Sequence, residues 1–439
     1  MTSNGRTAED RMTGAEIVAV ATCIFINMLD GFDVLVIAFA GPAIAKAWGL
    51  APGELGLLFS SGLAGMMLGS LFLAPLADRI GRRPVILVSL ALVSTGMLAS
   101  AASTGLYMLA ATRVMSGLGI GAMLAGLTAT VAEYTPERSR ALAVSLLQTA
   151  YPVGAILGGM ISAILIARFG WQSVFVLGGL LPAMMIPVVM LFLPESIAYL
   201  STRTGPDRLA RVNASRRRLG RAALAELPSA GVSPAAGSVR ALLAPEHRRN
   251  TVLVTFTYVM VMMTLYFALN WTPKVVVDAG LSEAAGIRAS VLVNIGGVLG
   301  ASAFGVLAIR YREVRTLRVY MLLCIAGLLL FGLTDLATAA LWGAAFIMGC
   351  FLHGITIGLY TLLPRLYPPE IRSTGAGWAI GIGRLGAIVG PALAGYLFGS
   401  GFSPTVVYAL FALPILLAFA AVLKIGDRPQ ADRAAQSAQ

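Results

Sequence analysis

Charge is scarce in this chain. Asp, Glu, Lys and Arg make up 12% of its 439 residues, against about a quarter in soluble proteins. With 58% hydrophobic residues and a mean hydropathy of +0.84, a soluble fold would expose large apolar patches and aggregate. Cysteine is nearly absent too. Cys23, Cys324 and Cys350 all fall inside apolar runs without paired spacing. That excludes a disulfide framework and points to packing roles. There are 2 histidines and no cluster of ligating residues, so no metal site is expected. No Walker lysine follows a glycine loop: Gly117-Leu118-Gly119-Ile120-Gly121 lies deep in an apolar run with no strand before it. Without an ATP-hydrolysing module, the energy for any transport comes from a gradient. No nucleophile–base arrangement is visible, so an enzyme is not expected.

Long apolar runs are what the sequence does have. They fall at about 17–40, 54–75, 84–103, 106–133, 140–166 and 171–193, then at about 251–271, 285–309, 316–335, 339–363, 372–398 and 403–424. Each suits a helix of roughly 20 residues crossing a bilayer. The third and fourth are separated only by Ser103, Thr104 and Gly105. The polar stretch Met1 to Glu16 lacks a cleavage signal, so the first run reads as a retained helix. The organisation is a bundle at 17–193, a basic linker at 194–250, a second bundle at 251–424 and a tail at 425–439. Two six-helix bundles suggest an internal repeat with a binding site at their interface.

The net charge of +12 is topogenic and implies no nucleic-acid face. If the N-terminus is cytoplasmic, the inner loops and tails hold 26 of the 32 basic residues, ten of them between Arg203 and Arg249. The outer loops hold only Lys46, Arg168, Lys274 and Arg288. This asymmetry places both termini in the cytoplasm and the chain in the inner membrane. Within the linker, Asn213 to Ala225 suits either a short helix along the membrane surface or a flexible connector.

Few charges interrupt the spans. Asp30 and Asp33 share one face of the first helix. Carboxylates in low dielectric must pair, protonate or face water, and so close a pair resists ionising together. Proton coupling or substrate gating is one reading; helix-packing ion pairs are the other. Gly31 between them admits a close backbone or ligand. Arg113 opens the fourth span and Arg384 sits in the eleventh. Their guanidinium forks suit a carboxylate substrate approached from both bundles. The competing readings are an interfacial residue for Arg113 and an internal ion pair for Arg384. Glu133 ends the fourth span near Arg138 and Arg140 and suits a gate at the inner face.

His353 is placed either to contact substrate or to pack. Tyr258, Tyr266, Asn270, Tyr360 and Trp378 offer pocket walls, whereas Trp271 reads as part of an interfacial aromatic belt. Glycine is plentiful, with 49 residues. Gly117, Gly119, Gly121 and Gly126, then Gly154, Gly158 and Gly159, then Gly375, Gly377, Gly381, Gly383, Gly386 and Gly390, suggest closely approaching helices. Pro152 and Pro391 are expected to bend theirs.

Leu76-Ala77-Asp78-Arg79-Ile80-Gly81-Arg82-Arg83-Pro84, preceded by Gly69, resembles the loop signature of the major facilitator superfamily, with Ala74 or Pro75 where its first glycine usually stands. Asp30-Gly31-Phe32-Asp33 resembles the DGxD motif of the aromatic acid:proton symporter family. Also similar to that family are Arg113 with its glycine-rich stretch and Glu133, Pro194-Glu195-Ser196 followed by Leu200, and the runs Tyr367 to Gly375 and Gly383 to Pro391. The resemblance covers nearly the whole chain. It implies an all-α integral membrane protein of the major facilitator fold, with twelve helices in two bundles. It also implies uptake of a benzoate or hydroxybenzoate with protons as coupling ion and no other cofactor. Asp30 and Asp33 would then serve coupling, and Arg113 and Arg384 anion binding. Asp78, Arg79, Arg82, Arg83, Glu133, Arg138 and Arg372 would form a conformational gate. The loop Gly305 to Arg315 departs from the family in lacking an aspartate; Glu313 stands displaced from that place. Expected partners are the small aromatic carboxylate, protons and membrane lipids, with the monomer as working unit. The residues alone leave open a carrier of a non-aromatic or sugar acid, a proton-driven exporter, and a non-transporting sensor.

Overall fold

In hydrocarbon, every backbone N–H and C=O must be satisfied within the chain, and a helix does so locally. A computed structural model describes residues 12–203, 207–226, 239–333, 337–368 and 371–425, and among these there is no strand. The polar N-terminus up to Arg11, part of the linker, Pro369 and Glu370 of the second-bundle motif, and the tail from residue 426 lie outside the described residues.

Among the described residues, twelve helices are long and apolar enough to cross a membrane. They are α1 (Gly14–Trp48), α2 (Pro52–Ile80), α3 (Arg82–Ala101), α4 (Leu106–Tyr134), α5 (Glu137–Phe169), α6 (Gln172–Phe192), α7 (Pro245–Asp278), α8 (Glu283–Tyr311), α9 (Glu313–Gly332), α10 (Thr338–Leu366), α11 (Arg372–Gly399) and α12 (Pro404–Lys424). The chain is a multi-pass membrane protein. The short polar break after residue 101 does separate α3 from α4. Local chemistry sets the ends. Thr13 and Glu16 form a capping box at α1, and Gly49 closes that helix in the left-handed conformation at φ 64°. Prolines start α2 and α12.

The residues cluster in two compact units, one drawn from Met1–Ser233, Leu269–Asn294 and Pro391–Ser400, the other from Pro234–Ala268, Ile295–Gly390 and Gly401–Gln439. In the first, glycine allows backbone-to-backbone packing. A Cβ on Gly31 would lie 1.9 Å from the Tyr151 carbonyl oxygen, and one on Gly154 would lie 1.7 Å from that of Met28. So α1 and α5 touch main chain to main chain. Gly31 thus admits a neighbouring helix rather than a ligand. Asn27 Nδ2 donates to the Leu147 carbonyl at 2.6 Å across the same crossing. Gly117 and Gly121 of α4 meet the carbonyls of Gly62 and Met66 on α2 in the same manner. Three of the expected glycines behave differently: Gly126 has only Ile86 nearby, and Gly377 and Gly381 face open space.

In the second unit, Gly386 and Gly390 of α11 rest on the carbonyls of Val259 and Met263 in α7. Phe267 stacks on Phe411 at 3.8 Å, and Thr264 Oγ1 donates to the Phe411 carbonyl at 3.0 Å. Glu313, first residue of α9, is buried and pairs with Arg365 at the end of α10 at 2.9 Å.

The linker contains a helix, Arg208–Arg218. Its position differs from a free membrane-surface helix: Val212 and Leu219 are buried, and Ser215 Oγ donates to the Glu195 carbonyl at 2.6 Å. The segment is docked on the first unit.

Candidate functional site

The 3.6-residue period places Asp30 and Asp33 together on α1, and packing then seals them in. Both are buried. Neither Asp33 oxygen, nor Asp30 Oδ2, has a hydrogen-bond partner. Asp33 Oδ1 lies against Gly178 of α6, where an added Cβ would come within 3.0 Å of it. Charged carboxylates held this way cost several kcal/mol. Ion pairs of the helix-packing kind are not formed by either residue among the described residues.

Arg113 is 2% exposed. It belongs to the interior of the unit and not to the membrane interface. Its Nη2 donates at 2.8 Å to the main-chain carbonyl of Asp33, and Nη1 contacts Met97 Sδ at 2.8 Å. Its Nε has no partner, and the Phe175 ring lies 6.0 Å away. Among the described residues the guanidinium hydrogen-bonds only to neutral groups, while the Asp33 carboxylate acts on it electrostatically. It borders a narrow hollow of about 10 Å³, room for about one water, lined also by Val34, Ile37, Phe59, Leu63 and Ile120. The hollow has an apolar wall with one buried cation and is far smaller than the roughly 300–1,000 Å³ usual for ligand pockets.

The residues expected to form a gate divide. Arg82 Nη1 meets Glu133 Oε2 at 2.6 Å, and Glu133 also accepts from Ser196 Oγ at 2.6 Å and Ala198 N at 2.9 Å. Arg83 Nη2 donates to the Met190 carbonyl at 2.5 Å. Arg79 offers its carbonyl to the Tyr199 hydroxyl at 3.1 Å. Asp78, Arg138 and Arg372 are exposed. Glu133 therefore pairs with Arg82 and not with Arg138 or Arg140, because the start of α3 lies beside the end of α4. Glu195 is the member that residue-by-residue reading undervalued. Its Oε1 accepts from the main-chain N–H of Arg82, Arg83 and Ser196 at 2.9, 3.3 and 2.9 Å. Two donors at the start of α3 and a third from the residue after Glu195 form an anion cradle. Gly81 at φ 108° makes the turn, and a Cβ there would fall 2.2 Å from Glu195 Oε2.

In the second unit, Tyr258 and Tyr360 pack edge to face at 5.9 Å. Tyr266 and Arg384 both act electrostatically on Tyr360, so these four residues form one neighbourhood. His353 Nδ1 lies 3.2 Å from the Gly349 carbonyl and packs against Gly297. Trp378 is half-buried on α11. Asn270 is buried on α7. Its neighbour Trp271 differs from an interfacial aromatic: it is 1% exposed and donates Nε1–H to the Pro391 carbonyl at 3.0 Å. That carbonyl is available because the indole, packed on Phe59 and Phe398, reaches it inside the first unit. No group of three metal-ligating side chains occurs among the described residues.

Comparison with known proteins fits this arrangement. The model of the Major Facilitator Superfamily matches residues 23–378 and 304–439. The chain is 34% identical to the gallate transporter of Pseudomonas putida, over 92% of this chain and 90% of the relative. It is 35% identical to the 4-hydroxybenzoate transporter PcaK of Pseudomonas aeruginosa, over 94% and 93%. Among solved structures, the inward open conformation of the xylose transporter XylE from E. coli superposes with a TM-score of 0.74 at 14% identity, covering 94% of this chain and 97% of that one. The xylose transporter bears on the fold alone; the two relatives bear on the family. Twelve spans, the Gly81 turn and its ion pairs, and these matches together identify a transporter and not an enzyme: the chain belongs to the major facilitator superfamily, in its aromatic acid transporter family.

Proposed function

We propose that this protein takes up a small aromatic carboxylate, of the benzoate or hydroxybenzoate type, in symport with protons. The observation that carries the reading is Arg113: a buried guanidinium that borders an apolar hollow and hydrogen-bonds only to neutral groups. Once Asp33, which acts on this guanidinium electrostatically, is protonated, an incoming carboxylate supplies the counter-charge, and the apolar lining suits a ring. The names of the relatives, gallate and 4-hydroxybenzoate transporters, supply the substrate class.

Asp30 and Asp33 are assigned the coupling proton, since unpartnered buried carboxylates are relieved by protonation. Arg384, with Tyr258, Tyr266, Tyr360, His353, Trp378 and Asn270, is assigned to substrate recognition. Asp78, Arg79, Arg82, Arg83, Glu133, Arg138 and Arg372 are assigned to the gate. Protonation and anion binding together neutralise the site, which permits the change of access. The positive-inside bias assigns the chain to the inner membrane with both termini cytoplasmic. The monomer is the working unit, and no cofactor beyond the proton is required.

Uptake into reconstituted vesicles tests this, using labelled benzoates and aliphatic acids with and without an inward proton gradient. An aromatic acid should accumulate only with the gradient, and Asp30→Asn should abolish that accumulation. Accumulation of aliphatic acids alone would overturn the substrate class, and full accumulation by Asp30→Asn would remove that residue from coupling.

A further inference from the structure

The best-formed ion pair of the first unit lies outside the substrate cleft and outside the gate. Arg221 Nε and Nη2 grip Glu16 Oε1 and Oε2 at 2.8 and 2.9 Å, a bidentate fork. Glu16 is 5% exposed, and Oε2 also accepts the Thr13 N–H at 2.9 Å within the capping box. The linker is built to deliver that arginine. Its helix Arg208–Arg218 ends in a Schellman motif, with Gly220 N donating to the Arg217 carbonyl at 3.0 Å and Arg221 N to that of Arg216 at 2.9 Å. Gly220 sits at φ 72°, a conformation that favours glycine. Asn213 closes the segment by exchanging hydrogen bonds of 2.9 and 2.8 Å with Leu224. Thr13 Oγ1 donates to the Leu219 carbonyl at 2.5 Å, and Leu219 enters the same apolar cluster as Ala19 and Cys23 of α1. The other edge of the segment reaches the gate, where Ser215 donates to the Glu195 carbonyl while Glu195 holds the start of α3.

We propose that residues 207–224 form a strap that fixes the foot of α1 through the Arg221–Glu16 clamp, so that Glu16, Gly220 and Arg221 are positioning residues for Asp30 and Asp33. A helix transmits axial displacement well: Asp30 lies fourteen residues above Glu16, about 21 Å at 1.5 Å per residue. A one-residue slip at the foot would bring Asp30 or Phe32 to the place of Gly31 at the Tyr151 crossing, where the main chains leave no room for a side chain. The strap therefore holds both carboxylates in register and ties α1 to the Glu195 cradle at the gate.

This role rests on the proposed coupling function of Asp30 and Asp33; its first test does not. Hydrogen–deuterium exchange of the full chain in detergent or nanodiscs is compared for wild type, Arg221→Ala, Arg221→Lys and Gly220→Ala. Exchange at residues 24–36 should quicken by about tenfold in Arg221→Ala, and less in Arg221→Lys, which keeps the charge but loses the fork. Gly220→Ala should act like Arg221→Ala, although it removes no side chain from the clamp. If Arg221→Ala does not reach the membrane, Gly220→Ala decides the question in its place. A change confined to residues 12–20 and 207–224, with 24–36 as in wild type, overturns the proposal. The second readout is the pH profile of gradient-driven uptake per folded transporter. A displaced profile in Gly220→Ala supports positioning, whereas an unmoved profile with only less protein overturns it. Wild-type vesicles that move none of the acids would defeat the proposed function and leave the exchange result intact.

Discussion

At the residue scale, the sequence picked out charges that the fold buries but not their partners. Asp30, Asp33 and Arg113 stood out because ionisable groups inside spans are costly. That Arg113 would bond the Asp33 carbonyl, and not its carboxylate, could not be read from spacing, since it depends on how α1 and α4 meet. Met97 and Phe175 around the guanidinium carried no signal at all: both read as ordinary span residues. Trp271 shows the reverse failure, because position near a span end suggested an interfacial ring where the fold buries one. The geometry makes Arg113→Lys informative. Lysine keeps the charge but cannot bridge Met97, the Asp33 carbonyl and an anion together. Loss of one charge-assisted bond, about 1.5–3 kcal/mol, should raise the KM for the aromatic acid by about ten- to a hundredfold. Unchanged KM in the vesicle assay would take the residue out of the anion site.

At the element scale, glycine periodicity located most helix contacts but could not say which face was in use. Gly31, Gly154, Gly117, Gly121, Gly386 and Gly390 all lie where a neighbouring carbonyl leaves no room for a methyl group. Gly377 and Gly381 belong to an equally glycine-rich run and face open space, because a repeat of small residues does not fix the rotation of its helix. The α1–α5 crossing yields a clean expectation. In Gly31→Ala, the new Cβ would start 1.9 Å from the Tyr151 oxygen, which is backbone and cannot swing aside. Overpacking of this kind costs about 1–3 kcal/mol, so the detergent-solubilised variant should melt several degrees below wild type. Gly377→Ala, with nothing within 4 Å, serves as the control and should melt with wild type. Equal melting of the two variants would mean that the crossing is looser than its carbonyl contacts imply.

At the scale of the whole molecule, hydropathy alone set the number of spans, because each run is long enough to be counted without its neighbours. Sidedness is argued from a different signal. Basic residues gather at alternate loops, and one missed helix would have reversed every loop after it, so helix count and charge asymmetry check each other. The docking of the linker was not legible, since Arg216, Arg217, Arg218 and Arg221 look alike in sequence and only the last turns inward onto Glu16. Topology is directly measurable. In a background with Cys23, Cys324 and Cys350 replaced by serine, Arg217→Cys and Gln172→Cys each offer one exposed thiol, on the linker and at the start of α6. A membrane-impermeant maleimide added to intact spheroplasts should label Gln172→Cys and spare Arg217→Cys, and inside-out vesicles should show the opposite. Labelling of both from one side would break the alternation of loops and with it the cytoplasmic placement of the strap.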